Sequence, residues 1–599
     1  MTQVENFGVE PGDIAKYHIG SVISSANGAP VDNTINGWYN MVKGFQDEAL
    51  GTRLAIPIIY GIDAIHGHGQ LLGATIFPHN IGLGAANDAD LVQKIGRATA
   101  LETMATGIQW NFSPVVAVVH DIRWGRTYES FGEDTDLVQK LGEAAVRGLS
   151  SVNNLERIAD HHQIFLLSTA KHFIGDGATS WGSSEQNIKC TMANGNKVDK
   201  VYMLDQGDSQ LDVNTLRQRL LPPYSAAIRA GAMSVMASFS SWNGQRMHAH
   251  KELLTDELKD RMGFEGLVIS DWDGIEELRK TPKGQERDRT AYYHSCVDAI
   301  NAGVDMAMLA KDWLLHIDVM KEAVQKGDIP MERVDDAVRR ILRVKIMAGL
   351  FERPMPDASL RQHVRSPAHV QLAREAVGKS LVLLQNDRSA LPIAATARIV
   401  LAGRGADNIG MQCGGWFIRW QGMLGKVTPA VRMPHNKWGN AGRPTGGTSI
   451  LDAFRKHMKS DVDYVVGLPD NSKRWEVAVV VIGEEPYAEG MGDEPNPTLT
   501  EGDVAALAAM RPRADKVVAV ILSGRPLIIA NHLHLADAWV AAWLPGTEGE
   551  GVTDVLLGTH PFQGRTSVTW PQSADQLPLN KHNTWQGQAL FPFGHGLSL

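Results

Sequence analysis

The sequence predicts an α/β protein: a (β/α)8-type barrel followed by a smaller doubly wound α/β sandwich. Three observations lead there. Through the first half, short apolar runs bounded by glycine alternate with helical patterns, and each run opens into polar or charged residues. Two prolines in Arg353-Pro354-Met355-Pro356-Asp357 then interrupt regular structure. After Ala373 a second series of buried-strand runs begins. With 599 residues the chain is too long for one ordinary core. The expected division is a barrel over 1–352, a linker over 353–372, a sandwich over 373–557 and a C-terminal extension over 558–599.

In the first half, Ile56 to Tyr60 reads as a strand running into Gly61-Ile62-Asp63-Ala64-Ile65-His66-Gly67-His68-Gly69. Asp88 is placed to cap a helix with Leu91, Ile95, Ala98 and Leu101 on one face, and Gly107 ends it. Val115 to Val119 leads to Asp121-Ile122-Arg123-Trp124-Gly125-Arg126, and Phe165 to Ala170 leads to Lys171-His172-Phe173. Val235 to Ser238, which contains Met236, leads to Phe239. Leu267 to Ile269 leads to Ser270-Asp271-Trp272-Asp273, and Gly303 to Met308 is a further run. A barrel places its chemistry at the C-terminal ends of its strands, where these polar residues fall. A polar insertion between Asp176 and Asp208, with Trp181 and Cys190, reads as a surface loop; a wall of the pocket is the second reading. A helix around Val334 to Leu350 ends at Gly349.

In the second half, Leu381 to Leu384, Ile399 to Ala402, Val477 to Gly483, Val517 to Leu522 and Trp539 to Trp543 are strand runs. Ser449 to His457 and Gly502 to Ala508 are helical stretches between them. Ala402-Gly403-Arg404-Gly405-Ala406-Asp407 lacks the third glycine of a dinucleotide fingerprint, so no nucleotide site is expected. Gln412 to Gly422, with Trp416 and Trp420, is a loop dense in aromatics and glycine. A second insertion, Pro429 to Pro444 with Trp438, follows it.

Composition narrows the partners. Net charge is -9, with 43% hydrophobic and 21% charged residues, which argues against nucleic acid. No run of 18 or more apolar residues exists that would span a membrane. Three cysteines, Cys190, Cys296 and Cys413, give no disulfide framework, although one pair could form. His66 and His68 find no third metal ligand at suitable spacing, and hydrogen bonding is the expected role for them.

Ser270-Asp271-Trp272-Asp273 after an apolar strand resembles the nucleophile motif of glycoside hydrolase family 3, in particular its two-domain β-glucan exohydrolases and β-glucosidases. The resemblance runs from about Met1 to Leu599, closing on Phe591-Pro592-Phe593-Gly594-His595-Gly596. It implies a retaining, exo-acting hydrolysis of β-glucans or β-gluco-oligosaccharides that needs no metal or cofactor. Two carboxyl groups must flank the scissile bond. Asp271 is the implied nucleophile. Of three glutamates in Glu484-Glu485-Pro486-Tyr487-Ala488-Glu489, the one after Pro-Tyr-Ala, Glu489, takes the acid/base role, with an expected raised pKa.

The resemblance also puts Asp63, Arg126, Lys171, His172 and Met236 in the terminal sugar subsite, and Trp272 and Trp420 around the leaving-group sugar. Taken singly, Asp63 or Asp271 reads as a helix cap, Arg126 as a partner of Glu129 or Glu133, and Lys171-His172 as a solvated strand end. Phe239 stands where relatives often carry tyrosine, and Glu277 where some carry arginine. Lys171-His172-Phe173-Ile174-Gly175-Asp176-Gly177 has no following Asp-x-His motif, which sets the family's β-N-acetylglucosaminidase branch low. A β-xylosidase is compatible with the same residues, since xylose and glucose are alike at three hydroxyls. Intact Asp271 and Glu489 argue against an inactive carbohydrate-binding protein. Met1 to Glu5 resembles the end of the family's first helix, so the chain is expected to begin inside a helix. A signal peptide upstream of Met1 would make the protein periplasmic or secreted, and otherwise it would be cytoplasmic; the sequence leaves compartment and oligomeric state open.

Overall fold

The computed structural model describes residues 1–25, 27–150, 166–279, 288–428, 431–432, 438–439, 442–467, 473–582 and 587–599. Much of the insertion expected over Pro429 to Pro444, including the Trp438 side chain, lies outside the described residues.

Eight parallel strands form the first lobe: β1 (Thr2–Glu5), β2 (Ser21–Ser24), β3 (Ile59–Ile62), β4 (Trp110–Asn111), β5 (Leu167–Phe173), β6 (Ser234–Ala237), β7 (Leu267–Ile269) and β8 (Ala307–Leu309). They follow sequence order around the sheet, and a bridge between Ile269 and Met306 closes β7 onto β8. Helices such as Ile35–Leu50, Ala89–Met104, Thr135–Ser150 and Arg289–Ala302 lie between strands. Ile23, Ile59, Trp110, Leu167, Met236, Leu267, Met306 and Met308 pack in one buried cluster. This fills the barrel, so any site must sit on its rim.

Three expectations are corrected. Thr2–Glu5 is a barrel strand, not the end of a helix, because its backbone pairs with β2 on one side and β8 on the other. Val115 to Val119 is not a ladder strand. Pro114 lacks the N–H that a ladder requires, and only Val115 bridges Lys171. The run is apolar because Val115, Ala117 and Val119 pack against the second lobe. Ile56 to Tyr60 slides forward, pairing from Ile59 to Ile62. By contrast, Leu267–Ile269 forms as expected, and the Asp88 side chain accepts from the Leu91 N–H at 3.0 Å.

The second lobe is a six-stranded sheet. Its strands are β9 (Val382–Asn386), β10 (Ile399–Ala402), β11 (Val462–Val465), β12 (Trp475–Gly483), β13 (Ala514–Leu522) and β14 (Ala538–Trp543), in the order β9-β14-β13-β12-β10-β11. Only β9 runs antiparallel. β11 is an edge strand the apolar pattern missed, since all four of its residues are only half-buried. The stretch 353–372 holds a 3-10 turn, Ala358–His363, and the start of helix Pro367–Ser380.

Alternation along these strands splits the core in two. Ile399, Val479, Val520 and Val540 face helices Ile450–His457 and Glu550–Leu556. Val400, Val480, Ala519 and Trp543 face Val115, Ile122, Trp124 and Tyr128 of the barrel, together with Trp570 near the C-terminus. One face of the sheet is thus covered by helices of its own lobe and the other by the first lobe together with helix Glu501–Met510. The chain reverses its winding direction at β10 and β12. Loops leaving the carboxyl ends of two such neighbours flank a crevice, which is where open α/β sheets bind ligands. No helix among the described residues is long and apolar enough to cross a membrane.

Candidate active site

Several barrel strands deliver side chains to a common rim. Asp63 follows β3, Lys171 and His172 end β5, Met236 lies in β6, and Asp271 stands two residues past β7. Arg126 comes from the loop after β4. From the second lobe, the loop after β10 brings Trp416 and Trp420, and the loop after β12 brings Glu489. All nine residues singled out above, Asp63, Arg126, Lys171, His172, Met236, Asp271, Trp272, Trp420 and Glu489, line one cavity of about 470 Å³. That size suits a small-molecule site, about 300–1,000 Å³.

Two hydrogen bonds fix Asp271 and a third fixes its neighbour Ser270. Its N–H donates to His248 Nε2 at 3.0 Å, its Oδ1 accepts from the Trp272 N–H at 2.7 Å, and Ser270 Oγ accepts from the Met308 N–H at 2.8 Å. The cap reading fails, because the bond to its carboxylate comes from the Trp272 N–H and not from a helix. Oδ2 is buried with no hydrogen-bond partner among the described residues, and it lies 3.8 Å from His172 Nε2. Burial raises its pKa to about 6, against the pull of Arg126, the Trp272 N–H and Lys171, with Asp63 adding to the rise.

Glu489 holds a backbone φ of 55°, a left-handed conformation costly for a residue with a Cβ. The surroundings impose it. Gln421 accepts from the Ala488 N–H at 2.9 Å and donates to the Ala488 carbonyl at 3.2 Å. Asp205 Oδ2 accepts from the Gly490 N–H at 3.0 Å, and the Tyr128 hydroxyl donates to the Tyr487 carbonyl at 2.7 Å. Burial and the nearby Asp271 charge push Glu489 up to about 7, opposed by Arg126.

Arg126 is buried and serves both lobes. It donates to both oxygens of Glu129 at 2.9 Å and sits 3.6 Å from Glu489 Oε1. Trp416 Nε1 also donates to Glu129, at 3.2 Å. The pairing with Glu129 that sequence offered as a competing role is therefore real, and it aims the guanidinium into the cavity. Lys171 Nζ donates to Asp63 Oδ1 at 2.6 Å, and His172 Nδ1 lies 2.8 Å from Asp176 Oδ2. These donors and acceptors suit a ligand dense in hydroxyl groups.

The glycosyl hydrolase family 3 N-terminal domain matches residues 1–344, and the C-terminal domain of that family matches residues 381–599. The chain belongs to glycosyl hydrolase family 3. A lysosomal beta glucosidase of Dictyostelium discoideum is 29% identical over 97% of this chain and 70% of that protein. The structure of exo-1,3/1,4-beta-glucanase from a Pseudoalteromonas species superposes with a TM-score of 0.85 at 39% identity, covering 100% of this chain and 71% of that one. A beta-glucosidase from Listeria innocua, in complex with isofagomine, gives 0.80 at 25% identity, covering 100% and 80%.

In this family 3 hydrolase the insertion between Asp176 and Asp208 is not a detached surface loop. It forms a hairpin, Asn187–Thr191 with Lys197–Val201, and Gln186, Ile188, Tyr202 and Gln206 line the cavity. Its polar composition hid this, because only one side of the hairpin meets the site. Phe239 and Glu277, the two departures, also line the cavity. His66 Nδ1 bonds the Phe77 carbonyl at 2.8 Å, and His68 Nε2 bonds Thr106 Oγ1 at 3.2 Å. Among the described residues no cluster of three or more His, Cys, Asp or Glu could hold a metal.

The lobes approach closely at Gly125, where a Cβ would run into the Glu489 carbonyl and the Asp493 N–H. Gly125→Ala should lift the Glu489 loop off the barrel. A shift of about 1 Å costs on the order of 10²-fold in rate, so laminaribiose turnover should fall by about that factor, measured by glucose release.

Proposed function

We propose that this enzyme is a retaining, exo-acting β-glucosidase or β-glucan exohydrolase that removes glucose from non-reducing ends. One observation carries the reading: two buried carboxyl groups from different lobes line one cavity, and their environments separate their proton affinities. Between pH values of about 6 and 7, Asp271 is ionised while Glu489 keeps its proton. Asp271 Oδ2 attacks the anomeric carbon as Glu489 protonates the departing glycosidic oxygen. Glu489, now a base, then takes a proton from water as that water displaces Asp271, which restores both groups and the β configuration.

Asp63, Arg126, Lys171 and His172 hold the hydroxyls of the terminal glucose, with Met236 beneath it. Trp272 and Trp420 offer apolar faces to the next sugar. Exo action follows from the closed floor. Ile23, Met236 and Met308 line the cavity and also belong to the barrel's packed interior, so a polymer cannot thread through. The names of the relatives and structural neighbours, beta glucosidase and exo-1,3/1,4-beta-glucanase, support the same class.

Substitution separates the two carboxyl roles. Asp271→Asn should lower kcat on nitrophenyl β-glucoside by at least about 10³-fold. Glu489→Ala should spare that activated substrate far more than laminaribiose or cellobiose, and azide should restore part of the aryl turnover. Equal loss on both substrate classes would remove Glu489 from the acid role.

The pH profile is a second test. kcat/KM should rise with pH as Asp271 ionises near 6 and fall as Glu489 loses its proton near 7. In Glu489→Gln, assayed on an activated aryl glucoside, the alkaline fall should disappear while the acid limb stays.

A further inference from the structure

We propose that Tyr202, delivered by the hairpin insertion, is the hydrogen-bond donor that recognises a second sugar as the leaving group. The inference rests on the reading of Asp271 and Glu489 above. It adds the chemical class preferred on the leaving side, a hydroxyl-bearing sugar over a flat apolar aglycone.

The hairpin is fastened to the loop that carries Glu489. The Asp493 carboxylate accepts from the backbone N–H groups of Met203, Leu204 and Asp205 through one oxygen, at 2.9, 2.7 and 3.0 Å. Lys200 Nζ donates to the Met491 carbonyl at 2.9 Å, and Asp205 accepts from the Gly490 N–H. Tyr202 therefore stays in register with Glu489. Its ring lies so close to Gly490 that a Cβ there would collide with it. The close approach of ring and backbone explains why glycine follows Glu489.

Tyr202 lines the cavity, is fully buried, and its hydroxyl has no hydrogen-bond partner among the described residues. Buried hydroxyls in proteins are almost always partnered, so one left over in a cavity wall marks a place where a ligand completes the bond. Burial and the negative charges of Glu489 and Asp205 push its pKa up, so it keeps its proton and donates. Its place beside Glu489 decides which part of the ligand it meets. Glu489 faces the departing oxygen, so the neighbouring donor faces the sugar attached to that oxygen. Gln186 Nε2 donates to Gln206 Oε1 at 3.0 Å, which adds amide groups to the same wall. Trp272 and Trp420 supply apolar faces without directionality; Tyr202 supplies direction.

The test is Tyr202→Phe, which keeps the ring against Gly490 and removes only the hydroxyl. Its kcat/KM should fall roughly three- to tenfold on laminaribiose and cellobiose, the size of one neutral hydrogen bond. On nitrophenyl β-glucoside, which has no hydroxyl on the leaving side, it should stay within about twofold, with the alkaline limb of the pH profile unmoved. Unchanged disaccharide turnover would overturn the proposal. So would an equal fall on both substrate classes with a displaced alkaline limb, since the hydroxyl would then act on Glu489. Retained aryl-glucoside turnover in the variant leaves the assignment of Asp271 and Glu489 standing, whatever the disaccharides do.

Discussion

The cavity is lined by carboxyl groups from two lobes, so its shape depends on those lobes not drifting apart, and burial prevents it. One face of the second sheet, Val400, Val480, Ala519 and Trp543 among its residues, packs on the barrel segment from Val115 to Tyr128. These side chains are buried in one cluster, so separating the lobes would expose a hydrophobic core. The site sits just beyond this contact. Arg525, itself buried, donates to the Glu484 side chain and to the carbonyls of Ile122, Arg123 and Gly492, joining both lobes at the root of the Glu489 loop. The strained backbone of Glu489 persists because these neighbours over-determine it.

Electrostatics then distinguishes two chemically similar acids. Both are buried, and burial raises both. Arg126 is the shared restraint, with its own charge balanced by Glu129. Lys171 also lowers both; the Trp272 N–H holds Asp271 further down, whereas Glu489 stands near the negative charges of Asp271 and Glu129. Asp176, paired with His172 and pushed up to about 7 by burial, lies one imidazole away from Asp271.

Much of this was legible in sequence, for a physical reason. Strands of a parallel barrel are buried on both faces, so they appear as short apolar runs, and catalysis at the rim puts polar residues immediately after them. Leu267–Ile269 and Asp271 could be placed that way, as could Lys171 and His172. Val115 to Val119 misled because its apolarity serves the contact between lobes rather than a ladder. Thr2–Glu5 misled because Gln3 and Glu5 are polar yet buried, with Gln3 bonded to Ser21 and Glu5 to the Ser25 N–H. Tyr202, Asp205, Asp493 and Arg525 were out of reach, because each acts across a contact between segments far apart in the chain. A lone tyrosine in a polar insertion was the sole local sign of the pocket wall.

The central claim is that Asp271 forms a covalent bond to the sugar while Glu489 does not. A 2-deoxy-2-fluoro-β-glucoside with an activated leaving group slows the second displacement and lets that bond accumulate. After proteolysis, mass spectrometry should find one fluoroglucosyl group on the peptide carrying Asp271, with loss of activity proportional to labelling. A label on Glu489 or another side chain, or inactivation with no covalent sugar, would contradict the account.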